Sequence, residues 1–277
     1  MIRRREFLKN IGMLTAGLAL QPSYTSALKK VKNVGIQLYT FRKEMLVDAH
    51  GTLQQLASLG IKQIESASSI KGRYYGLSPK EIKHICDDLG MKLISGHAEF
   101  NNNWQQAMDE AAESGQEYLI TSNFPSQGQT VDNYKRVADS FNKAGEACKR
   151  LSIKFGYHNH NAQFREENGQ VLYDVLLNNT DPDLVHMELD LGWMIAAGKK
   201  PIDYFNKYRG RFPLWHLKDM KGMQSTEFGK GNLDIVTILR NRKLAGLKHF
   251  FVEQEEYTHT PLESMKQNME YLGKIKI

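Results

Sequence analysis

The sequence predicts an α/β protein whose single domain is a closed barrel of eight parallel strands alternating with helices, the (β/α)8 or TIM-barrel class. Three observations support this prediction. Short apolar runs alternate with segments of helical periodicity along the chain, which is typical of parallel βα units. Eight such units fit into about 250 residues, the usual size of one closed barrel. Ionisable residues follow the ends of several runs, where the active site of such a barrel lies.

The individual elements are predicted from the same patterns. Strands are predicted at 34–39, 61–65, 91–97, 118–122, 153–157, 184–189, 213–217 and 250–252. Helices are predicted at 48–59, 78–89, 103–114, 130–150, 171–177, 202–208, 233–240 and 261–272. Ser78 followed by Pro79 indicates a helix start, and Gly60 and Gly115 indicate helix ends. No shift in composition marks a second domain.

The first 27 residues have the pattern of an export signal, and residues 28–277 are predicted to form the barrel. A charged start is followed by an apolar run from Ile11 to Leu20, too short to span a membrane stably, and by the small residues Thr25-Ser26-Ala27. RREFLK resembles the twin-arginine motif, with Arg3 where Ser or Thr is usual. We therefore expect a periplasmic protein exported by the twin-arginine route. A retained N-terminal anchor is the alternative.

Charge and cysteine content bear on partners and redox state. The chain carries a net charge of +6, but the signal holds four basic residues and one acidic residue, which leaves +3 for residues 28–277. No basic run interleaved with aromatics remains there, which argues against nucleic acid as a partner. No stable membrane span is expected after signal cleavage, and homo-oligomerisation stays open. Cys86 and Cys148 fall in predicted helices and are expected to be buried free thiols.

The polar ends of the later strands suggest a metal site. His158, Asp190, His216 and Glu253 can be supplied by four consecutive strands. Two imidazoles and two carboxylates suit one divalent ion such as Mn²⁺, Co²⁺, Zn²⁺ or Mg²⁺. Glu188 lies two residues before Asp190, so both side chains point the same way from a strand. A buried carboxylate needs a partner or a metal, although a single strand-end histidine is more often structural.

Seven segments resemble a known family in their order along the chain. They are GIQLYTFR, YHNH, ELDLGW, AGKKP, HLKD, GKGNLD and VEQE, and they are similar to the xylose isomerase-like TIM barrels called sugar phosphate isomerases/epimerases. In ketose epimerases of this family a Glu, an Asp, a His and a Glu hold one divalent metal. Asp190, His216 and Glu253 match the last three positions. The first falls at or near His158, and Glu188 is the candidate replacement for the missing glutamate.

The resemblance implies a reaction that begins with removal of a proton next to a carbonyl. A divalent ion stabilises the resulting enediolate, and a carboxylate or imidazole takes the proton. The candidate catalytic residues are Glu253, His160, Glu188 and Lys218, and the candidate substrate-binding residues are Gln37, Glu65, His97 and Trp193. Because the epimerases exchange protons through two metal-bound glutamates and one of them is missing here, the product stays open.

The prediction is a metal-dependent sugar isomerase/epimerase acting on a keto-sugar or related carbohydrate. A periplasmic 3-keto-glycoside lyase or hydratase, which needs one base, is the alternative, as is a non-catalytic carbohydrate-binding barrel. Export favours a neutral substrate, since sugar phosphates are cytoplasmic metabolites. GKG at 229–231 is a minor candidate for binding phosphate. Asp219 and Glu255 are expected to be solvated.

Overall fold

The computed structural model describes residues 30–277. Its main feature is a ring of eight strands: β1 (Gly35–Gln37), β2 (Gln63–Ser66), β3 (Lys92–His97), β4 (Tyr118–Thr121), β5 (Lys154–His158), β6 (Val185–Asp190), β7 (Leu214–Leu217) and β8 (His249–Val252). Each strand pairs in parallel with the next along the chain, and β8 pairs with β1 to close the barrel. The predicted (β/α)8 barrel is therefore confirmed, with strand boundaries shifted by at most two residues.

Eleven α-helices connect and cover the strands within the described part of the chain. They are α1 (Arg42–Val47), α2 (Ala49–Ser58), α3 (Pro79–Asp88), α4 (Trp104–Ser114), α5 (Val131–Arg150), α6 (Leu172–Asn179), α7 (Leu191–Ala196), α8 (Pro201–Lys207), α9 (Ile235–Arg240), α10 (Arg242–Ala245) and α11 (Pro261–Lys274). The short helices α1, α7 and α10 were not predicted, because four to six residues carry too little periodicity to detect. No described helix has both the length and the apolar character needed to cross a membrane.

Local sequence signals set the helix ends. The Ser78 hydroxyl accepts a hydrogen bond from the Glu81 amide, the Glu81 side chain accepts from the Ser78 amide, and Pro79 takes the first turn of α3. Helix α4 ends at Gly115, whose φ of 72° is left-handed. The predicted start of α3 and end of α4 are thus confirmed.

The interior of the barrel has an apolar lower layer and a polar upper layer. Ile94, Tyr118, Ile120, Leu214 and Phe251 form a buried cluster separate from the main core. Leu214 precedes His216 by two residues, and Phe251 precedes Glu253 by two. Because residues two apart on a strand share a face, these apolar side chains lie one layer below the ionisable ones. The apolar layer supports the floor of the site above it.

The N-terminal signal and the cysteines have different outcomes. Residues 1–27, predicted as an export signal, lie outside the described residues. Cys86 and Cys148 are both buried and free, as predicted, and burial raises the pKa of each thiol to about 12. Neither thiol is therefore poised to react at neutral pH.

We expect Gly145→Ala to destabilise the protein, although alanine is the better helix former. Gly145 lies inside α5, where an added Cβ would come within 2.4 Å of the Leu184 carbonyl oxygen, a backbone atom. Such overpacking costs about 1–3 kcal/mol. The matched control is Gly273→Ala in α11, where nothing lies within 4 Å of the new Cβ, and it should be neutral or stabilising by up to about 1 kcal/mol. Urea unfolding of both variants measures this, and equal effects would contradict the close approach.

Candidate active site

The carboxyl ends of seven strands bring the predicted polar residues together at one end of the barrel. Gln37 closes β1, Glu65 lies in β2, His97 closes β3, His158 closes β5, Glu188 and Asp190 lie in β6, His216 lies in β7, and Glu253 directly follows β8. Strand register aligns them, since Gln37 pairs with Glu65, His158 with Glu188, and Asp190 with His216. A parallel barrel therefore converts a pattern repeated along the chain into one site.

The four predicted metal ligands form one cluster. His158, Asp190, His216 and Glu253 each offer a donor atom, and these atoms lie within 4.8 Å of one another. His158 Nε2 is 3.3 Å from Asp190 Oδ2, and His216 Nδ1 is 2.9 Å from Glu253 Oε2. His158 Nδ1 is buried without a hydrogen-bond partner in the described part of the chain. Two imidazoles and two carboxylates fit a divalent ion of the borderline-to-hard type.

A second cluster lies against the first and shares His216 with it. Glu65, His97, Glu188 and His216 also bring donor atoms within 4.8 Å. His216 Nε2 is 2.6 Å from Glu65 Oε1, and His97 Nε2 is 2.7 Å from Glu188 Oε2. Glu188 therefore belongs to this second cluster, paired with His97, and not to the cluster of the predicted metal ligands.

Lys218 is the cation that balances the metal-ligand cluster. Its side chain is 1% exposed, and Nζ lies 3.1 Å from Asp190 Oδ2, 2.7 Å from Glu253 Oε2 and 2.6 Å from Glu255 Oε1. Glu255 was expected to be solvated; its side chain is 27% exposed on the cavity wall, and it pairs with Lys218, so the expectation holds only in part. A divalent ion held here would share two carboxylates with this ammonium.

Two neighbouring residues, Gly192 and Asn159, position these groups. A Cβ on Gly192 would come within 2.9 Å of the Lys218 side chain, so only a glycine leaves room for the lysine stem. Asn159 accepts a hydrogen bond from the Asp190 amide and donates one to the Asp190 carbonyl. Both residues lie in recognisable motifs, ELDLGW and YHNH, but their roles depend on contacts between strands.

The charges around the site shift the pKa values of its members. Burial alone would raise the pKa of Glu253 and of Asp190, but in each case Lys218 is the largest opposing influence and holds the pKa well below its usual value. Burial likewise would lower the pKa of Lys218, yet Asp190 and Glu253 raise it. Burial lowers the pKa of His160. At neutral pH the carboxylates of Asp190 and Glu253 are therefore ionised and Lys218 is an ammonium, whereas the His160 imidazole is neutral.

The site opens into a cavity of about 360 Å³, a volume suited to a small ligand. Its wall includes Gln37, His97, His158, His160, Trp193, Lys218 and Glu253. Glu65 is fully buried, and its oxygens are engaged by Gln37, Ser95 and His216. The expectation that Glu65 binds a substrate hydroxyl is therefore wrong, because its hydrogen bonds hold it below the wall. Glu188 is likewise fully buried.

The loop after β7 contains a buried carboxylate, the side chain of Asp219. Asp219, expected to be solvated, is fully buried and accepts hydrogen bonds from the amides of Met220, Gly229, Gly231 and Leu233 at 2.9–3.1 Å. A buried carboxylate with these four donors is well satisfied, so solvation was the wrong expectation. The amides of the GKG segment already serve Asp219, which removes that segment as a phosphate-binding loop.

The chain belongs to the xylose isomerase-like TIM barrel family, whose model matches residues 53–275. This confirms the resemblance seen in the sequence. A structure of a sugar phosphate isomerase/epimerase from Parabacteroides distasonis ATCC 8503 superposes with a TM-score of 0.79 at 28% identity, covering 88% of this chain and 98% of that one.

Two further proteins are similar to this chain in sequence or in fold. An inosose dehydratase from Lacticaseibacillus casei is 25% identical over 194 residues, which are 61% of this chain and 64% of that enzyme. The match thus spans less than two thirds of that enzyme. A structure of the IOLI protein with a zinc atom bound shares the fold, with a TM-score of 0.68 at 14% identity over 86% of this chain and 95% of that one. Both reaction classes expected from the sequence, isomerase/epimerase and carbon–oxygen lyase, are named among these relatives.

We expect Asp219→Asn to destabilise the protein by about 1–3 kcal/mol, because a carboxamide replaces one acceptor oxygen with a donor that faces amide N–H groups. The control is Asp234→Asn, since Asp234 is an exposed N-cap that accepts from the Thr237 amide, and Asn caps a helix equally well. Chemical denaturation should separate the two variants. If Asp219→Asn unfolds at the same denaturant concentration as Asp234→Asn, the four hydrogen bonds do not stabilise the loop.

Proposed function

We propose that this protein is a metal-dependent carbon–oxygen lyase acting on a keto-sugar or a related polyhydroxylated ring. One observation carries the choice between lyase and epimerase. Of the four carboxylates in the two described clusters, only Glu253 lines the cavity, whereas Glu65, Glu188 and Asp190 are fully buried. Epimerisation through two metal-bound carboxylates on opposite faces of the sugar lacks a second cluster carboxylate on the wall, because the other acidic wall residues, Glu99 and Glu255, lie outside both clusters. Elimination needs one base and one proton donor.

The wall supplies a base and a cation. His160 lies beside Trp193 and His158, with ring centroids 6.1 and 5.0 Å away, and its neutral imidazole can accept the proton from the carbon next to the carbonyl. The imidazolium that forms can then return this proton to the oxygen that leaves the neighbouring carbon as the C–O bond breaks, and the Lys218 ammonium supplies positive charge on the same wall. Trp193 offers an apolar face for a sugar ring.

His158, Asp190, His216 and Glu253 would hold the divalent ion. When bound, it supplies positive charge that stabilises the negative charge developing on the substrate carbonyl oxygen. The zinc atom in the IOLI structure and the fit of this donor set support the assignment. Mn²⁺, Co²⁺, Zn²⁺ and Mg²⁺ all suit these ligands.

A neutral substrate fits this site better than a sugar phosphate. The amides of the loop at 229–231 are occupied by Asp219, and the Lys218 ammonium already faces three carboxylates. An inosose, a free keto-sugar or a 3-keto-glycoside is therefore the proposed substrate class. The similarity to an inosose dehydratase is consistent with this proposal.

A sugar isomerase/epimerase is the second candidate, favoured by the Parabacteroides distasonis structure and its 98% coverage. The first half of the reaction is the same, and the two candidates differ in the step after proton removal. Return of the proton to a carbon gives an isomer or epimer, whereas loss of an oxygen substituent gives an unsaturated product.

Proton NMR in D₂O distinguishes these outcomes. The purified protein, loaded in turn with Mg²⁺, Zn²⁺ and a low concentration of Co²⁺, would be given an inosose, free ketoses and 3-keto-glucosides. We expect loss of water or of the aglycone, with a new unsaturated or deoxygenated product. Deuterium entering a sugar that keeps its oxygen substituents would support the isomerase/epimerase instead. Binding of sugar without either event would indicate a non-catalytic carbohydrate-binding barrel.

His160→Gln should lower kcat/KM by about 10²- to 10⁴-fold, because it removes the proposed base. The control is His84→Gln, since the His84 side chain is 78% exposed on α3, away from the cavity wall. Metal content should be equal in both variants, as neither residue is a proposed ligand. Wild-type kcat/KM in His160→Gln would assign proton removal to another group.

We also propose export to the periplasm, on the basis of the twin-arginine-like sequence in residues 1–27. Replacing Arg4 and Arg5 together by lysine keeps the charge but removes the motif, so the precursor should remain in the cytoplasm uncleaved. Replacing Arg3 by lysine is the control and should leave export intact. Fractionation and mass measurement of the chain test this, and equal export of both variants would exclude the twin-arginine route.

A further inference from the structure

We propose that Glu65 is a positioning residue for His216, fixing the ring so that Nδ1 presents its lone pair to the metal-ligand cluster. This inference rests on the proposed function for the presence of a metal. It concerns a residue that does not reach the cavity wall. Its basis is the contact between Glu65 Oε1 and His216 Nε2 at 2.6 Å, made across the interior of the barrel.

The two ring nitrogens of His216 face different clusters. Nδ1 points to Glu253 Oε2 at 2.9 Å and to Asp190 Oδ2 at 3.7 Å, and Nε2 points to Glu65. An imidazole that ligates a metal must offer a lone pair on the nitrogen facing the ion, which leaves its proton on the other nitrogen. A carboxylate that accepts a hydrogen bond from this other nitrogen fixes both the tautomer and the ring orientation.

Glu65 is itself held firmly enough to do this. Gln37 Nε2 donates to Oε1 at 2.8 Å, and Ser95 Oγ donates to Oε2 at 2.5 Å. Both partners lie on neighbouring strands at positions paired with Glu65. The carboxylate is fully buried, so water does not compete for its oxygens. The orientation of His216 is therefore set by three adjacent strands, β1 to β3, on which none of the proposed metal ligands lies.

Glu188 offers a matched comparison. It is also a fully buried carboxylate of the second cluster, but it lies farther from His216 Nε2, at 3.3 Å, and its short contact is to His97 at 2.7 Å. A general effect of replacing a buried carboxyl group of this cluster would be similar for Glu65 and Glu188. An effect transmitted through the hydrogen bond to His216 would be confined to Glu65.

The experiment compares Zn²⁺ and Co²⁺ affinities of the wild type, Glu65→Gln and Glu188→Gln by competition with a chelating dye. Metal stoichiometry and the visible spectrum of bound Co²⁺ are recorded on the same samples. We expect Glu65→Gln to weaken metal binding by about 10- to 100-fold and to change the Co²⁺ spectrum. We expect Glu188→Gln to weaken metal binding by about threefold or less, well below the loss of about 10- to 100-fold expected for Glu65→Gln. Circular dichroism of the metal-free proteins checks that both variants fold.

Each contrary result has a separate meaning. Wild-type affinity and spectrum in a folded Glu65→Gln would overturn the positioning role alone, as would equal losses in the two variants. Two metal ions per wild-type chain, falling to one in Glu65→Gln, would overturn it by making Glu65 a ligand. A wild type that binds neither metal would overturn the proposed metal chemistry as well.

Discussion

Compensation of buried charge is the constraint on which the site depends. Glu65, Glu188, Asp190 and Glu253 lie inside the barrel, where an unpaired carboxylate is costly. Lys218 supplies the opposite charge to Asp190 and Glu253. Burial opposes the protonation of His97 and His216, but the neighbouring carboxylates raise the pKa of both imidazoles, which balance Glu65 and Glu188. The Lys218 stem passes over Gly192, and its ammonium joins β6 to the residues after β8. Removing any of these partners would leave a charge without compensation, so the side chains behave as a unit.

The two clusters differ in how far a substrate can reach their side chains. The carboxylates of the second cluster are closed off, because they bond to imidazoles, an amide and a hydroxyl, and His97 is its member on the cavity wall. The metal-ligand cluster contributes Glu253 to the cavity wall, where a substrate can reach it. His216 belongs to both clusters through its two nitrogens. Reactivity at the wall therefore depends on contacts that no substrate touches.

The sequence predicted the architecture well, because strand and helix periods repeat eight times and errors at single boundaries do not change the barrel. It also predicted which strand ends carry ionisable residues. It could not rank them by depth, since the same period places Glu65 and His97 on one face while only His97 reaches the cavity. The solvation of Asp219 was mispredicted because three of its four hydrogen-bond donors lie 10–14 residues further along the chain.

The Asp219 loop also bears on which substitutions this part of the barrel can accept. Gly231 packs so closely on Asp219 that a Cβ would lie 2.2 Å from its Oδ1. The loop is thus shaped around a carboxylate that the chain carries itself. A larger residue at position 231 would push on this carboxylate, and loss of the carboxylate would leave backbone amides without an acceptor. The glycine and the aspartate are therefore expected to be replaced together or not at all.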